Sequence, residues 1–170
     1  ATRGLRLLAD VDGAESAGAR ARLTSFSAVI RQTQQRPREA LELAERAAAQ
    51  ALECDEREAL ARAYEVMDWA YRMLGRADEA VHGQKSLALR QAIGDNSGAA
   101  IVINNMGAEA YFSGRWDDAV KLYAEARDAL LRAGNAVQAA NASANIAEVL
   151  VDQGRLDEAE PVLDEAVRVL

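Results

Sequence analysis

His82 and Cys54 are the only histidine and the only cysteine among the 170 residues. Imidazole and thiolate are favoured as metal ligands, nucleophiles and general bases. Single copies far apart in sequence supply no cluster of three or four donors. Carboxylates are plentiful, and pairs such as Asp117-Asp118 would be raw material for general acid–base catalysis. Asp78-Glu79, Asp117-Asp118 and Asp157-Glu158 each follow a glycine turn signal, however, and stand where a helix begins. Exposed backbone N–H groups and the macrodipole favour negative charge there without any catalytic role. No P-loop, glycine-rich phosphate motif or nucleophile elbow is present. The sequence reads as non-catalytic, with no cofactor and no metal site. The chemistry left is recognition, by amides that offer donor and acceptor together and by large apolar groups that concentrate binding energy.

The elements that must position these groups are helices. Half of the residues are apolar, yet the aromatics number only two Trp, four Tyr and two Phe, and alanine dominates. Alanine, leucine, arginine and glutamate are strong helix formers, whereas β-branched and aromatic residues are too sparse for many strands. Two prolines seldom interrupt a helix. The formal charge is −7 and the pI about 4.8, which leaves no electrostatic footprint for nucleic acid. From Arg115 to the end there are eleven acidic and six basic residues, against eight of each up to Asp55, so a charged partner of the C-terminal part should be basic. A lone cysteine rules out an internal disulfide and suits a reducing compartment. No apolar run approaches the roughly eighteen residues that span a bilayer, and no targeting segment is evident, so a cytoplasmic protein without a membrane partner is expected. Eighteen of the twenty basic residues are arginine, leaving Lys85 and Lys121, as expected of a GC-rich bacterial genome.

Internal repetition organises the chain. Gln35-Arg36-Pro37-Arg38-Glu39-Ala40, Gly75-Arg76-Ala77-Asp78-Glu79-Ala80, Gly114-Arg115-Trp116-Asp117-Asp118-Ala119 and Gly154-Arg155-Leu156-Asp157-Glu158-Ala159 align, with closing alanines 40, 39 and 40 residues apart. Gly94-Asp95 and Gly134-Asn135 form a second mark, 40 residues apart, with Cys54-Asp55 in the equivalent place one unit earlier. Glycine ends a helix by taking the left-handed conformation, the acids occupy the next first turn, and the small alanine lets the second helix approach the first. Each unit is therefore a helix, a tight turn and an antiparallel helix. It buries its apolar stripe only by stacking on its neighbours.

At these residues the chain resembles the tetratricopeptide repeat family. Ile103, Met106, Gly107 and Ala110 followed by Ala119 and Tyr123 match its pattern well; the second unit offers Tyr64, Met67, Asp68 and Tyr71 before Ala80, the fourth Ser143, Ile146, Ala147 and Leu150 before Ala159 and Leu163, and the first is degenerate, with Thr24, Ser27, Ala28 and Arg31 before Ala40 and Ala44. The period exceeds the family's usual length and glycine replaces its closing proline, as in the repeats of kinesin light chains and of bacterial multidomain signalling proteins with cyclase or ATPase modules. The resemblance implies an all-α, right-handed solenoid of stacked hairpins. The expected helices span about residues 3–11, 14–34, 37–52, 56–74, 77–93, 97–113, 116–133, 136–153 and 156–170, within a few residues. A partial unit over 1–13 precedes units 14–55, 56–95, 96–135 and 136–170 in a single array that reads as cut from a longer one. Apolar residues at both ends, Leu5, Leu8, Val167 and Leu170, would be raw stacking surfaces. Asp68 stands where later units have Gly107 and Ala147, so it needs a donor, and His82 is the nearest. Trp116, just after a turn glycine, is expected in the core.

In this family the first helices of the hairpins line the concave side. Helical spacing puts Ile101, Asn104, Asn105, Ala108, Tyr111 and Phe112 on that side in the third unit. Arg62, Glu65, Val66, Trp69, Arg72 and Met73 share it in the second, and Asn141, Ala144, Asn145, Glu148, Val151 and Asp152 in the fourth. The candidate partner-binding residues are Trp69, Arg72, Met73, Asn104, Asn105, Tyr111, Phe112, Asn141, Asn145 and Glu148. Large apolar groups on an open face mark contact sites. Asn105 and Asn145, one repeat apart, suit gripping a peptide backbone, as asparagines do in related repeats. The competing readings are that Trp69 and Phe112 pack between neighbouring helices and that the asparagines bond to neighbouring turns. The resemblance implies a module that binds a peptide or helix of a partner protein, as a regulatory segment of a larger bacterial signalling protein. Two alternatives are an inducer-sensing superhelix and a self-association surface.

Overall fold

Seven described residues have positive φ, and they fall at the hairpin joints: Gln35, Asp55, Gly75, Gly94, Gly114, Gly134 and Gly154. Five are glycine, which enters the left-handed region without a Cβ penalty. The repeat register is strict enough to force glutamine (φ 55°) and aspartate (φ 53°) into the same conformation. At six of these joints the following residue donates its N–H to the carbonyl five positions back: Arg36 to Arg31, Glu56 to Ala51, Arg76 to Tyr71, Arg115 to Ala110, Asn135 to Leu130 and Arg155 to Leu150, at 2.8–3.0 Å. This is the Schellman closure, which satisfies carbonyls that the helix end leaves open.

The structure, a computed structural model, describes residues 14–168. The helix expected over 3–11 and the terminal residues Leu5, Leu8 and Leu170 lie outside that range. Among the described residues there are eight α-helices and no strand: α1 (Ala14–Thr33), α2 (Pro37–Glu53), α3 (Arg57–Met73), α4 (Gly83–Ala92), α5 (Asn96–Phe112), α6 (Trp116–Arg132), α7 (Ala136–Asp152) and α8 (Leu156–Val167). They pair as consecutive antiparallel hairpins, so the chain is an all-α solenoid. The arginine of each hexad is explained by the acid three residues later. Arg36 pairs with Glu39, Arg76 with Glu79, Arg115 with Asp118 at 3.8 Å and Arg155 with Glu158 at 2.7 Å, so the same i,i+3 ion pair recurs at the start of α2, α6 and α8 and at the short turn before α4. Asp95 and Asn135 cap α5 and α7, accepting the N–H of Gly98 at 2.8 Å and of Gln138 at 3.3 Å.

The chain divides into two compact units, Ala1–Ile93 and Gly94–Leu170. In the first, α1 to α4 close around alanines: Ala28, Ala40, Ala44, Ala47, Ala51, Ala63 and Ala70 are fully buried, with Leu41, Leu60, Val66, Met67 and Tyr71 filling between them. Such small side chains hold helix axes close and place contact area, rather than bulk, at the centre. In the second unit, Ala110, Ala119, Tyr123, Ile146, Ala147, Val149 and Leu150 form the main cluster over α5 to α8. Gly107 faces Tyr123 so closely that a Cβ there would lie 2.8 Å from the phenol ring.

Two sequence expectations are corrected. The helix expected over 77–93 is broken: a single 3₁₀ turn at Ala77–Glu79 is followed by non-helical Ala80, Val81 and His82, and α4 starts only at Gly83. Asp68 causes the break. Its carboxylate, in a residue 4% exposed, accepts the His82 backbone N–H through both oxygens at 3.1 and 3.0 Å and pairs with His82 Nδ1 at 2.8 Å. That bond takes the N–H which a continuous helix would send to Asp78. At the same register the later units, whose second helices are unbroken, carry only Gly107, packed against the Tyr123 ring, and Ala147. The His82 ring is stacked on Tyr64 and Tyr71, with centroids 5.0 and 6.2 Å away. The second correction is Trp116, which is 38% exposed rather than in the core. It is the first residue of α6, and its counterparts Ala77 and Leu156 are exposed too. A side chain at that position points off the end of the hairpin.

Candidate functional site

The first helices of the hairpins carry the candidate residues, and each compact unit presents its own face. In the first unit α3 holds Trp69, Arg72 and Met73. Trp69 is half-buried against the alanine-rich cluster, so part of its ring is structural. Arg72 is half-buried and Met73 is 53% exposed. Two residues of the expected stripe turn away: Val66 is core, and Glu65 pairs with Arg90 of α4 at 3.0 Å while accepting the Ser86 hydroxyl at 2.8 Å. Sequence reasoning missed Phe26 and Ile30 of α1, both exposed, because the first repeat matches the pattern poorly. The Arg62 guanidinium lies 3.9 Å from the Phe26 ring centroid and donates to Ser25 Oγ at 3.0 Å, tying α1 to α3.

In the second unit, two polar rungs join α5 and α7. Asn145 Nδ2 donates to Asn104 Oδ1 at 3.2 Å, and the Tyr111 hydroxyl donates to Asp152 Oδ2. The rungs are seven residues apart on both helices, about 10 Å along the axis. Asn104 keeps its amide donors and Asn145 its carbonyl acceptor for a third party, the complementary pair that a peptide backbone needs. The sequence pairs Asn145 with Asn105 by repeat period. The structure bonds it to Asn104, while Asn105 and Asn141 stand exposed. Ala108 and Glu148 lie between the rungs, Ala108 half-buried and Glu148 exposed with no hydrogen bond or ion pair among the described residues. Phe112, 80% exposed, has its ring 5.2 Å from that of Tyr111, and Val151 beside Asp152 is 49% exposed.

The electrostatics of this face are negative. The bond to Asp152 pushes the Tyr111 phenol up to about 12, with burial and the charges of Asp152 and Glu148 adding to it. Tyr123, behind the face, is pushed up to about 12 by burial first and then by Glu148. Among the described residues no group of three His, Cys, Asp or Glu could hold a metal ion, and no helix is long and apolar enough to cross a membrane.

Residues 140–170 match the tetratricopeptide repeat family model. The fold is that of BtubC (BKLC) from P. vanneervenii, which superposes with a TM-score of 0.77 at 19% identity, over 94% of this chain and 65% of that one. This chain therefore spans about two thirds of the length of that relative. Nearly identical TPR-like repeats of a protein assigned as a kinesin light chain from Podosopora anserina match with a TM-score of 0.54 at 15% identity, over 89% of this chain and 95% of that one. No curated protein matches the sequence. The fold is that of tetratricopeptide-like helical repeats, and the family's own sequence pattern is matched over residues 140–170.

Proposed function

We propose that the chain is a non-catalytic interaction module, a regulatory segment of a larger bacterial signalling protein, and that the α5/α7 face of its second unit binds a peptide or helix of a partner. The observation that carries this reading is Phe112. An aromatic that is 80% exposed, beside two polar rungs with spare donors and acceptors, has the composition of a binding hot spot rather than of a solvated surface. The half-buried Trp69 with the exposed Met73 gives the first unit a smaller face of the same kind.

The test is selection of displayed peptides on the folded protein, followed by affinity measurement on variants. Phe112→Ala should weaken the selected peptides by about 2 kcal/mol or more. Asn104→Ala, Asn105→Ala and Asn145→Ala should each cost about 0.5–1.5 kcal/mol, all with helical signal intact. Binding that survives these changes but is lost in Lys121→Glu on α6 would place the site on the second helices and refute the reading.

A further inference from the structure

The net charge of −7 resides entirely in the second unit. Residues 94–170 contain thirteen acidic and six basic side chains, whereas 1–93 contain fourteen of each. Within the second unit the charge is also sorted by layer. The first helices α5 and α7 hold Glu109, Glu148 and Asp152 and neither lysine nor arginine. The arginines stand on or just before the second helices, and Arg115 and Arg155 are committed to Asp118 and Glu158. The face that carries Phe112 therefore presents carboxylates with no neutralising cation on either helix.

Resting on the interaction reading above, we propose that the occupant of the α5/α7 face is a basic segment of a partner protein: an apolar side chain set against Phe112 and Val151, flanked by arginine or lysine that meets Glu148 and Asp152. Asp152 already accepts one bond, from Tyr111, and keeps further lone pairs directed at solvent. Glu148 is exposed with no hydrogen bond or ion pair among the described residues, so a guanidinium reaching it displaces no existing contact. An acidic segment would bring like charges together at the same place, with no compensating cation on α5 or α7. Complementary charge here sets partner choice and association rate, while the apolar contact supplies most of the affinity.

Three short fluorescent peptides test this, identical in a Leu-Phe centre and flanked by arginines, glutamines or glutamates. The arginine peptide should bind tightest, and its advantage should vanish near 1 M salt, where the screening length contracts to about 3 Å. Glu148→Gln combined with Asp152→Asn retains shape and the Tyr111 bond. It should weaken the arginine peptide by about two- to tenfold, as two exposed ion pairs would. Glu160→Gln with Asp164→Asn removes the same charge from exposed positions of α8 at the same spacing and should leave binding unchanged. An equal loss in that control would mean bulk attraction and overturn the proposal. So would glutamate or glutamine peptides binding as well as the arginine one. If those peptides still depend on Phe112, the interaction face stands and only the basic partner falls. Binding of all three that is insensitive to Phe112→Ala, or no binding at all, refutes both.

Discussion

Replacing Asp68 with alanine removes a buried carboxylate that holds the start of α4 from a different helix. Two kinds of bond are lost, the forked acceptance of the His82 N–H at 3.1 and 3.0 Å and the Nδ1 contact at 2.8 Å. A hydrogen bond to a charged group contributes about 1.5–3 kcal/mol. Removing the acceptor also strands the part-buried His82 N–H, which adds a desolvation penalty of about 1–3 kcal/mol. Relaxation of the broken segment toward a helix, with His82 N–H turning to Asp78, recovers about 1 kcal/mol. Gly83 and Val81 resist that relaxation by their low helix propensity. The net expectation for Asp68→Ala is a loss of about 2–4 kcal/mol, or roughly 5–15 °C in melting temperature for a chain of this size. His82→Ala keeps the backbone bond and loses only the ring contact and the stacking on Tyr64 and Tyr71, so it should cost less, about 1–2 kcal/mol. Urea titrations of the two single variants and the double variant complete a cycle, whose coupling should be about 1–2 kcal/mol. Wild-type stability of Asp68→Ala, or a loss no larger than that of His82→Ala, would refute the assignment of the break to Asp68.

Gly107→Ala gains about 1 kcal/mol of helix propensity but drives a Cβ to within 2.8 Å of the buried Tyr123 ring; overpacking costs about 1–3 kcal/mol. Thermal melts should show a net loss that is relieved in the Tyr123→Leu background. Gln35→Gly should raise stability by about 0.5–1 kcal/mol because glutamine is strained at φ 55°. Asp55→Gly should gain less, since aspartate tolerates that conformation and also pairs with Arg57 at 3.2 Å; chemical denaturation checks both. Phenolate absorbance should show Tyr111 ionising at about 12, and Asp152→Ala should return it toward the ordinary value of about 10. The raised phenol pKa favours the folded state below pH 10 or so, and that contribution is lost as pH rises through about 12.

Much of the architecture is legible in the sequence, because a helical repeat writes its joints as residues with a special backbone conformation. The hexads locate four turns and the Gly94 and Gly134 marks two more. Even Asp55, which is not glycine, adopts the expected left-handed conformation because its place in the period demands it. The break before α4 was not legible, since it depends on a carboxylate from another helix competing for one N–H. The oddity of Asp68 and its proximity to His82 were visible, but not their consequence for the helix. Trp116 misleads because hydrophobicity says nothing about whether the first residue of a helix points inward. Asn145 finds Asn104 rather than Asn105 because the lateral offset of neighbouring helices follows their packing, not the repeat period. Phe112 and Asn104 share a face on periodicity alone, whereas the half-burial of Trp69 required its neighbours.

Backbone amide shifts of the protein titrated with the arginine-flanked peptide, together with intermolecular contacts in the bound state, test the binding face most directly. The largest changes should fall at Asn104, Asn105, Ala108, Tyr111 and Phe112 of α5 and at Asn145 and Glu148 of α7, with the peptide's apolar side chain against the Phe112 ring. Changes confined to α6 and α8, or contacts that avoid Phe112, would contradict it.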